Sequence, residues 1–313
     1  MKIICNPTSY AGKSRKNWPR VVKALKEAGL DFEVEWTKEP LDAIRITKES
    51  IEDHDIICAY GGDGTINEIV TAIGQTGFKT TLGILAAGRG NDNAFSLRLT
   101  NYIDDLVEML QAKEVRRVDC IEIDGGKRYC VGVAGAGIDA LVAEKVIGKS
   151  TRISYSLALV QSFFSYRPRH MHIDIDDGRV VRDLKSLSTM ICNGQRVGNK
   201  KMVAPNAMIN DGLLDIVVIG NTGIVESLIA SAGLKKGTHI NHPKVEVLRG
   251  AKATITTNSP KRIPVHSMGE MIDPLPHTFI CRPQALKTLK MPDQVIQREG
   301  WTDANVFLEN QKK

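Results

Sequence analysis

The feature that most limits how this chain can fold is Gly61-Gly62-Asp63-Gly64-Thr65-Ile66-Asn67-Glu68, which directly follows the apolar run 56–60 and opens a helix-patterned stretch. An apolar run, a glycine-dense turn and a helix in immediate succession describe one strand-to-helix unit of an α/β sheet. Glycine permits backbone angles and close approaches that other residues forbid, and the first turn of a helix has N–H groups without intrahelical partners. Together with the helix dipole, those groups favour an anion, so the turn suits a phosphate. Taken alone, it reads equally well as a tight left-handed bend in which Asp63 or Thr65 caps the helix.

Two further turns shift that balance. Asn6-Pro7-Thr8-Ser9 follows the apolar segment 2–5, and Gly88-Arg89-Gly90-Asn91-Asp92 follows 81–85. Strands expected at 2–5, 32–36, 55–60 and 81–85 alternate with helices expected at 18–28, 41–52, 65–73 and 102–111, the rhythm of a parallel sheet flanked by helices. Such sheets bind ligands at the carboxyl ends of their strands, so the three turns are expected to line one crevice with a nucleotide in it.

Past residue 118 or so the pattern becomes β-rich, with strands expected at 117–123, 127–133, 170–175, 187–192, 213–219, 244–248 and 253–257. Helical interruptions are expected at 138–146, 153–166 and 223–234. A chain of 313 residues suits two domains, here an α/β unit and an antiparallel, sandwich-like unit.

Composition excludes several classes. No apolar run reaches the roughly 20 residues a membrane span needs, and the opening Met1-Lys2-Ile3-Ile4-Cys5 reads as a strand, so a cytoplasmic protein is expected. The six cysteines stand singly in apolar contexts with no C-x-x-C pair, which favours reduced core thiols over zinc or disulfides. A net charge of +6 with 5% aromatic residues and no basic block gives no nucleic-acid footprint.

Two familiar patterns fail on inspection. Gly12-Lys13-Ser14 lacks the leading glycine of a P-loop, because Pro7 stands there. Gly135-Ala136-Gly137-Ile138-Asp139-Ala140 satisfies a dinucleotide fingerprint, yet no acidic residue lies between Glu144 and Asp174 to hold a ribose. Between Lys145 and His172 the chain has Lys145, Lys149, Arg152, Arg167 and Arg169, no acid, and the apolar stretch 153–166. A basic rim around apolar residues suits an anionic membrane surface; a buried helix with solvated ends is the other reading.

The three turns together resemble the catalytic domain of the diacylglycerol kinase family, which includes sphingosine, ceramide and bacterial lipid kinases, and the likeness covers nearly the whole chain. Asn6 to Ser9 match the family's N-P-x-S opening, Gly61 to Glu68 its GGDGT-x-x-E, and Gly88 to Asp92 its G-x-x-N-D turn. The resemblance implies an NAD-kinase- and diacylglycerol-kinase-like N-terminal domain at 1–118, completed by 284–313, and a lipid-substrate domain at 119–283. It implies ATP on Asn6, Thr8, Ser9, Thr37, Gly61, Gly62, Asp63, Gly64, Thr65, Glu68, Gly88, Arg89 and Asn91. The segment Ala204-Pro205-Asn206-Ala207 through Asn210-Asp211-Gly212-Leu213 resembles a family Mg²⁺ site, which maps to Asp211 with the carbonyls of Met208 and Leu213; an Asp-Gly hairpin turn explains the same residues.

The family's D-G-E motif reads Met268-Gly269-Glu270 here, so its aspartate is missing. The resemblance implies Glu270 as proton acceptor, and Asp63, expected near the γ-phosphate or its metal, is a competing candidate for that base. The expected activity is ATP- and Mg²⁺-dependent phosphorylation of a lipid hydroxyl at the inner membrane face, by a peripheral protein for which a homodimer is admitted. A kinase of NAD or another soluble compound, and a nucleotide-responsive lipid binder, are the alternatives.

Overall fold

The computed structural model describes residues 1–146, 155–198, 201–223, 226 and 231–301. The expected helix at 223–234 and the first residues of the one at 153–166 lie partly outside them. The chain opens with strands β1 (Lys2–Cys5), β2 (Glu33–Trp36), β3 (Ile56–Gly61) and β4 (Thr81–Ala86), paired in parallel in the order β2-β1-β3-β4. Helices α1 (Lys13–Glu27), α2 (Asp42–Ser50) and α3 (Asp63–Gln75) fill the connections between these strands, and α4 (Asp92–Ser96) and α5 (Ile103–Ala112) come after β4. Burial on both faces explains why Ile57, Cys58, Ala59 and Tyr60 form an unbroken apolar run rather than an alternating one.

Helix α1 starts five residues before the sequence pattern suggested. Pro19 invites a start nearby, since proline favours the first helical turn, but Gly12 takes a left-handed φ of 82° and launches the helix at Lys13, with Pro19 inside it. Trp18 then packs between Trp36 and Tyr60, with ring centroids 5.6 and 4.9 Å away, and fastens α1 to the sheet.

The second half supplies β5 (Val115–Ile123), β6 (Arg128–Cys130), β7 (Val133–Gly137), α6 (Ile138–Val146), α7 (Tyr155–Ser165), β8 (Arg169–Ile175), β9 (Val180–Ser186) and β10 (Ser188–Cys192). It continues with β11 (Arg196–Val197), β12 (Lys201–Met202), β13 (Leu214–Ile219), β14 (Val245–Gly250), β15 (Lys252–Thr256), β16 (Val265–Ser267), β17 (Glu270–Ile272), β18 (His277–Leu289) and α8 (Asp293–Arg298). The single strand expected at 127–133 is two, β6 and β7, which enter different sheets. Strands β9, β16, β17 and β18 escaped the sequence reading because they are short, polar on one face, or interrupted by prolines.

The result is an α/β unit with a parallel sheet joined to an antiparallel β-sandwich. One sheet of the sandwich runs β14-β13-β10-β7-β16-β17; the other is built on β18, β15, β8 and β9, with β5 and β6 alongside. Apolar residues from both, among them Ile121, Met171, Ile173, Ile191, Ile216, Val265 and Phe279, form one core. Strand β18 is the splice: its first residues pair with β15, its last with β4, and β5 runs along its other edge. Leu286, Leu289, Met291 and Val295 consequently end in the core of the α/β unit.

Candidate active site

The turns after β1, β3 and β4 meet at the carboxyl edge of the parallel sheet. Asn6 joins the first to the second, its Nδ2 donating to Thr65 Oγ1 at 3.0 Å while its Oδ1 accepts from Thr8 N and Thr8 Oγ1 at 2.9 Å. Ser9 Oγ donates to the Ala87 carbonyl at 3.1 Å and so ties the first turn to the third. The second and third turns touch backbone to backbone, since a methyl group on Gly88 would fall 2.6 Å from Gly62 Cα. Glycine at 88 is what allows that contact, and a side chain at 62 would press on Gly88 and Ser9 at 3.3 Å. Asn91, left-handed at φ 54°, folds back to accept the Gly88 N–H at 2.9 Å. Beside these turns lies a cavity of about 540 Å³ lined by Tyr10, Lys13, Arg20, Gly88, Arg89 and Tyr102, a basic and aromatic wall of the kind a nucleotide needs.

Asp63 begins α3 and reaches across to the start of α4, where its Oδ1 accepts the Asn93 N–H at 2.9 Å. A methyl on Gly90 would stand 3.1 Å from both Asp63 Oδ2 and Asp92 Oδ2, so the two carboxylates converge over that glycine. Burial, then the nearby charge of Asp92, raise the Asp63 pKa to about 6, against the opposing pull of the Asn93, Asp92 and Asn91 amides. Two carboxylates held together beside a phosphate-sized turn suit a hard divalent cation, and Mg²⁺ characteristically takes one or two carboxylates plus substrate phosphates.

Glu270 arrives from the other unit, 202 positions beyond Glu68 in the numbering but in space beside α3. It is the first residue of β17, and Asn67 Nδ2 donates to its Oε2 at 2.8 Å. A methyl on Gly64 would lie 3.1 Å from Glu270 Oε1, so the third glycine of the motif makes room for it. Burial chiefly, and Glu68 secondarily, raise its pKa to about 7; the Asn67 amide and Arg128, 3.9 Å away, act in the opposite direction. A partly buried carboxylate poised near neutrality can take a proton from a hydroxyl. Asn67, Arg128 and Asp92 were not singled out from the sequence. Asn67 and Asp92 lie inside the glycine-rich motifs Gly61–Glu68 and Gly88–Asp92, whereas nothing local marks Arg128.

Met268, standing in the family's aspartate position, is buried, and its Sδ accepts the Val133 N–H at 2.9 Å. Thr37 directly follows β2, with its N–H donating to the Cys5 carbonyl at 2.9 Å. Glu68 accepts the Leu41 and Ala43 N–H groups at 3.2 and 3.1 Å, which makes it the anchor for the start of α2.

The residues at 208–213 do not fit a metal as they stand. One Asp211 oxygen accepts the Leu213 N–H at 3.1 Å and the other is bound by the Arg249 guanidinium, whose Nε also lies 3.4 Å from Asp215 Oδ1. The positive charge at this turn is therefore an arginine, placed directly opposite Asp215 by the β13–β14 register. EDTA is expected to leave the thermal midpoint unchanged. Arg249→Ala should lower it by about 1–2 °C, the shift that ~1 kcal/mol produces in a protein of this size, and Mg²⁺ should restore part of that loss. Scanning fluorimetry with and without the cation checks both; chelator-induced destabilisation of the unaltered protein would show that a metal does bind there.

Residues 1–123 match the model of the diacylglycerol kinase catalytic domain, and residues 132–290 match that of the YegS C-terminal NAD kinase beta sandwich-like domain. The chain is 25% identical over 290 residues to the diacylglycerol kinase of Bacillus subtilis, covering 89% of this chain and 92% of that one. With the diacylglycerol kinase of Staphylococcus carnosus it shares 25% identity over 306 residues, covering 95% and 98%. The crystal structure of a diacylglycerol kinase from Bacillus anthracis superposes with a TM-score of 0.76 at 24% identity, covering 94% of this chain and 97% of that one, and so has the same fold.

Proposed function

The chain belongs to the diacylglycerol kinase family, and from that premise we propose that it transfers the γ-phosphoryl group of ATP to the hydroxyl of diacylglycerol or a closely related lipid. The observation that carries this reading is the seating of Glu270 against Gly64 and Asn67, which brings a proton acceptor from the sandwich to the glycine-rich turn of the α/β unit. Phosphoryl transfer depends on positioning and on charge neutralisation. The turns at Gly61–Gly62 and Gly88–Asn91, with Lys13 and Arg89 at the cavity wall, would hold the triphosphate in line with the acceptor. Mg²⁺, held by Asp63 and Asp92, would offset charge on the phosphate oxygens. As the lipid oxygen bonds to phosphorus and the bond to ADP breaks, Glu270 takes the hydroxyl proton.

The lipid's tails would enter an apolar cavity between α6, α7 and the β14-β13-β10-β7 face, lined by Leu159, Phe163, Leu187, Met190 and Ile219. Over it, α7 exposes Leu157, Val160 and Phe164, spaced as one helical face, with Arg167 and Arg169 beyond its end. No described helix is long and apolar enough to cross a membrane; a surface contact is the reading this face supports. Phe164→Glu is expected to weaken co-sedimentation with vesicles containing phosphatidylglycerol by about tenfold, because it replaces a 63%-exposed ring by a charge. Unchanged sedimentation would remove α7 from the membrane contact.

The decisive test is transfer from labelled ATP with Mg²⁺ to a panel of diacylglycerol, sphingosine, ceramide and NAD. Phosphorylated diacylglycerol is the expected product. Transfer to NAD alone would replace the lipid reading, and transfer to nothing, with nucleotide binding intact, would identify a binding protein.

A further inference from the structure

Glu270 is presented by a turn in which two successive residues, Met268 at φ 48° and Gly269 at φ 89°, are left-handed. A methionine in that region is unfavourable and persists only where its surroundings hold it. Three contacts do so. Met268 N donates to the Val133 carbonyl at 2.9 Å, Met268 Sδ accepts Val133 N–H at 2.9 Å, and the Gly269 N–H donates to His266 Nδ1 at 3.0 Å.

The last contact determines the state of the imidazole. Nδ1 must carry a lone pair to accept an amide proton, so in the neutral ring the proton sits on Nε2. Nε2 faces Asp139 Oδ2 at 2.9 Å, and the other Asp139 oxygen accepts the Ser188 hydroxyl at 2.7 Å. His266 is 2% exposed, Asp139 9% and Ser188 1%, so water does not compete for these bonds. Gly135 is what admits the pair: a methyl there would fall 1.8 Å from Asp139 Oδ2 and 3.1 Å from His266 Nε2. The Gly135-to-Ala140 segment, which mimics a dinucleotide fingerprint, thus has a packing reason for its first glycine and its aspartate.

We propose that His266 is a positioning residue for the reaction, holding the Gly269–Glu270 turn through a buried Asp139–His266–amide clamp in a chain whose D-G-E aspartate is replaced by Met268. The clamp acts on Glu270 only through the backbone. It rests on the lipid-kinase reading for its kinetic consequence, but its tautomer is a property of the protein with or without activity.

The test uses three variants of the full chain. His266→Asn keeps an acceptor near the Nδ1 position and should retain kcat within about threefold. His266→Gln keeps a donor towards Asp139 but loses that acceptor, and should lose kcat by about a hundredfold, the scale of an ångström-level misplacement of a catalytic group, with the KM for ATP unchanged. Asp139→Asn preserves shape but presents an amide that no longer enforces the Nε2–H form, and imidazole ¹⁵N NMR should show the proton redistributed to Nδ1. Equal kcat for the Asn and Gln variants, or an Nδ1–H imidazole in the unaltered protein, would overturn the clamp. If the unaltered protein phosphorylates no lipid, the functional reading fails, and the NMR result still decides the clamp.

Discussion

Replacing Glu270 by glutamine is expected to slow phosphate transfer by two to four orders of magnitude, the range covered by a positioned general base, while nucleotide affinity stays unchanged. Glutamine preserves the Asn67 contact in size and removes only the ability to accept a proton. The pH dependence comes from the same carboxylate. With its pKa raised to about 7, chiefly by burial, Glu270 becomes competent only as it ionises, so kcat/KM of the unaltered protein should rise through about pH 7 and then level. The effect on stability has the opposite sign. A carboxylate whose folded pKa exceeds its unfolded value of 4.5 favours folding below that value, and this advantage is lost as pH rises through about 7. Glu270→Gln should therefore raise the thermal midpoint at pH 8 and change it little at pH 4.5. A slow variant that is also more stable is the signature of a site under functional load; full activity in the glutamine variant would remove Glu270 from the chemistry.

Asp63→Asn is expected to have the second-largest effect, because two carboxylates over Gly90 become one. Nucleotide binding followed by calorimetry should lose most of its enhancement by Mg²⁺, and transfer should fall by about two decades, corresponding to ~3 kcal/mol of lost charge stabilisation. The fold should survive. The variant relieves the repulsion from Asp92 and the burial of a charge, both of which act on Asp63 in the folded protein. An undiminished response of nucleotide binding to Mg²⁺ would show that the cation is held elsewhere, and a collapse of the thermal midpoint would assign Asp63 to structure, as the carboxylate that receives the amides opening α4.

The α/β unit was legible because its signals are local. Ile56 to Tyr60 had to be buried on both faces, the glycines after it had to turn, and the periodic stretch after those had to be a helix. Each inference needs only a few neighbouring residues. The sandwich was less so: β18 carries Pro283 and a register shift between Arg282 and Leu286, and the partners that make it a strand come from β5, β4 and β15. Its conformation is set by pairing over long sequence separations, which no local window contains.

The candidate site divides along the same line. Glycines at 61, 62, 64, 88 and 90 and the acid Asp63 stood out in the chain itself, since close backbone approach and a phosphate-binding turn call for particular residue types, whereas Glu270 came only from its resemblance to the family's D-G-E motif. Tertiary structure alone decided that Gly62 lies against Gly88, that Glu68 is occupied by the start of α2, and that Arg249 takes the charge at Asp211. It also decided that His266 and Asp139, 127 positions apart, lock one turn. Residue chemistry is written along the chain, but pKa values, tautomers and the partner each charge finds depend on which distant groups folding brings within about 3–4 Å.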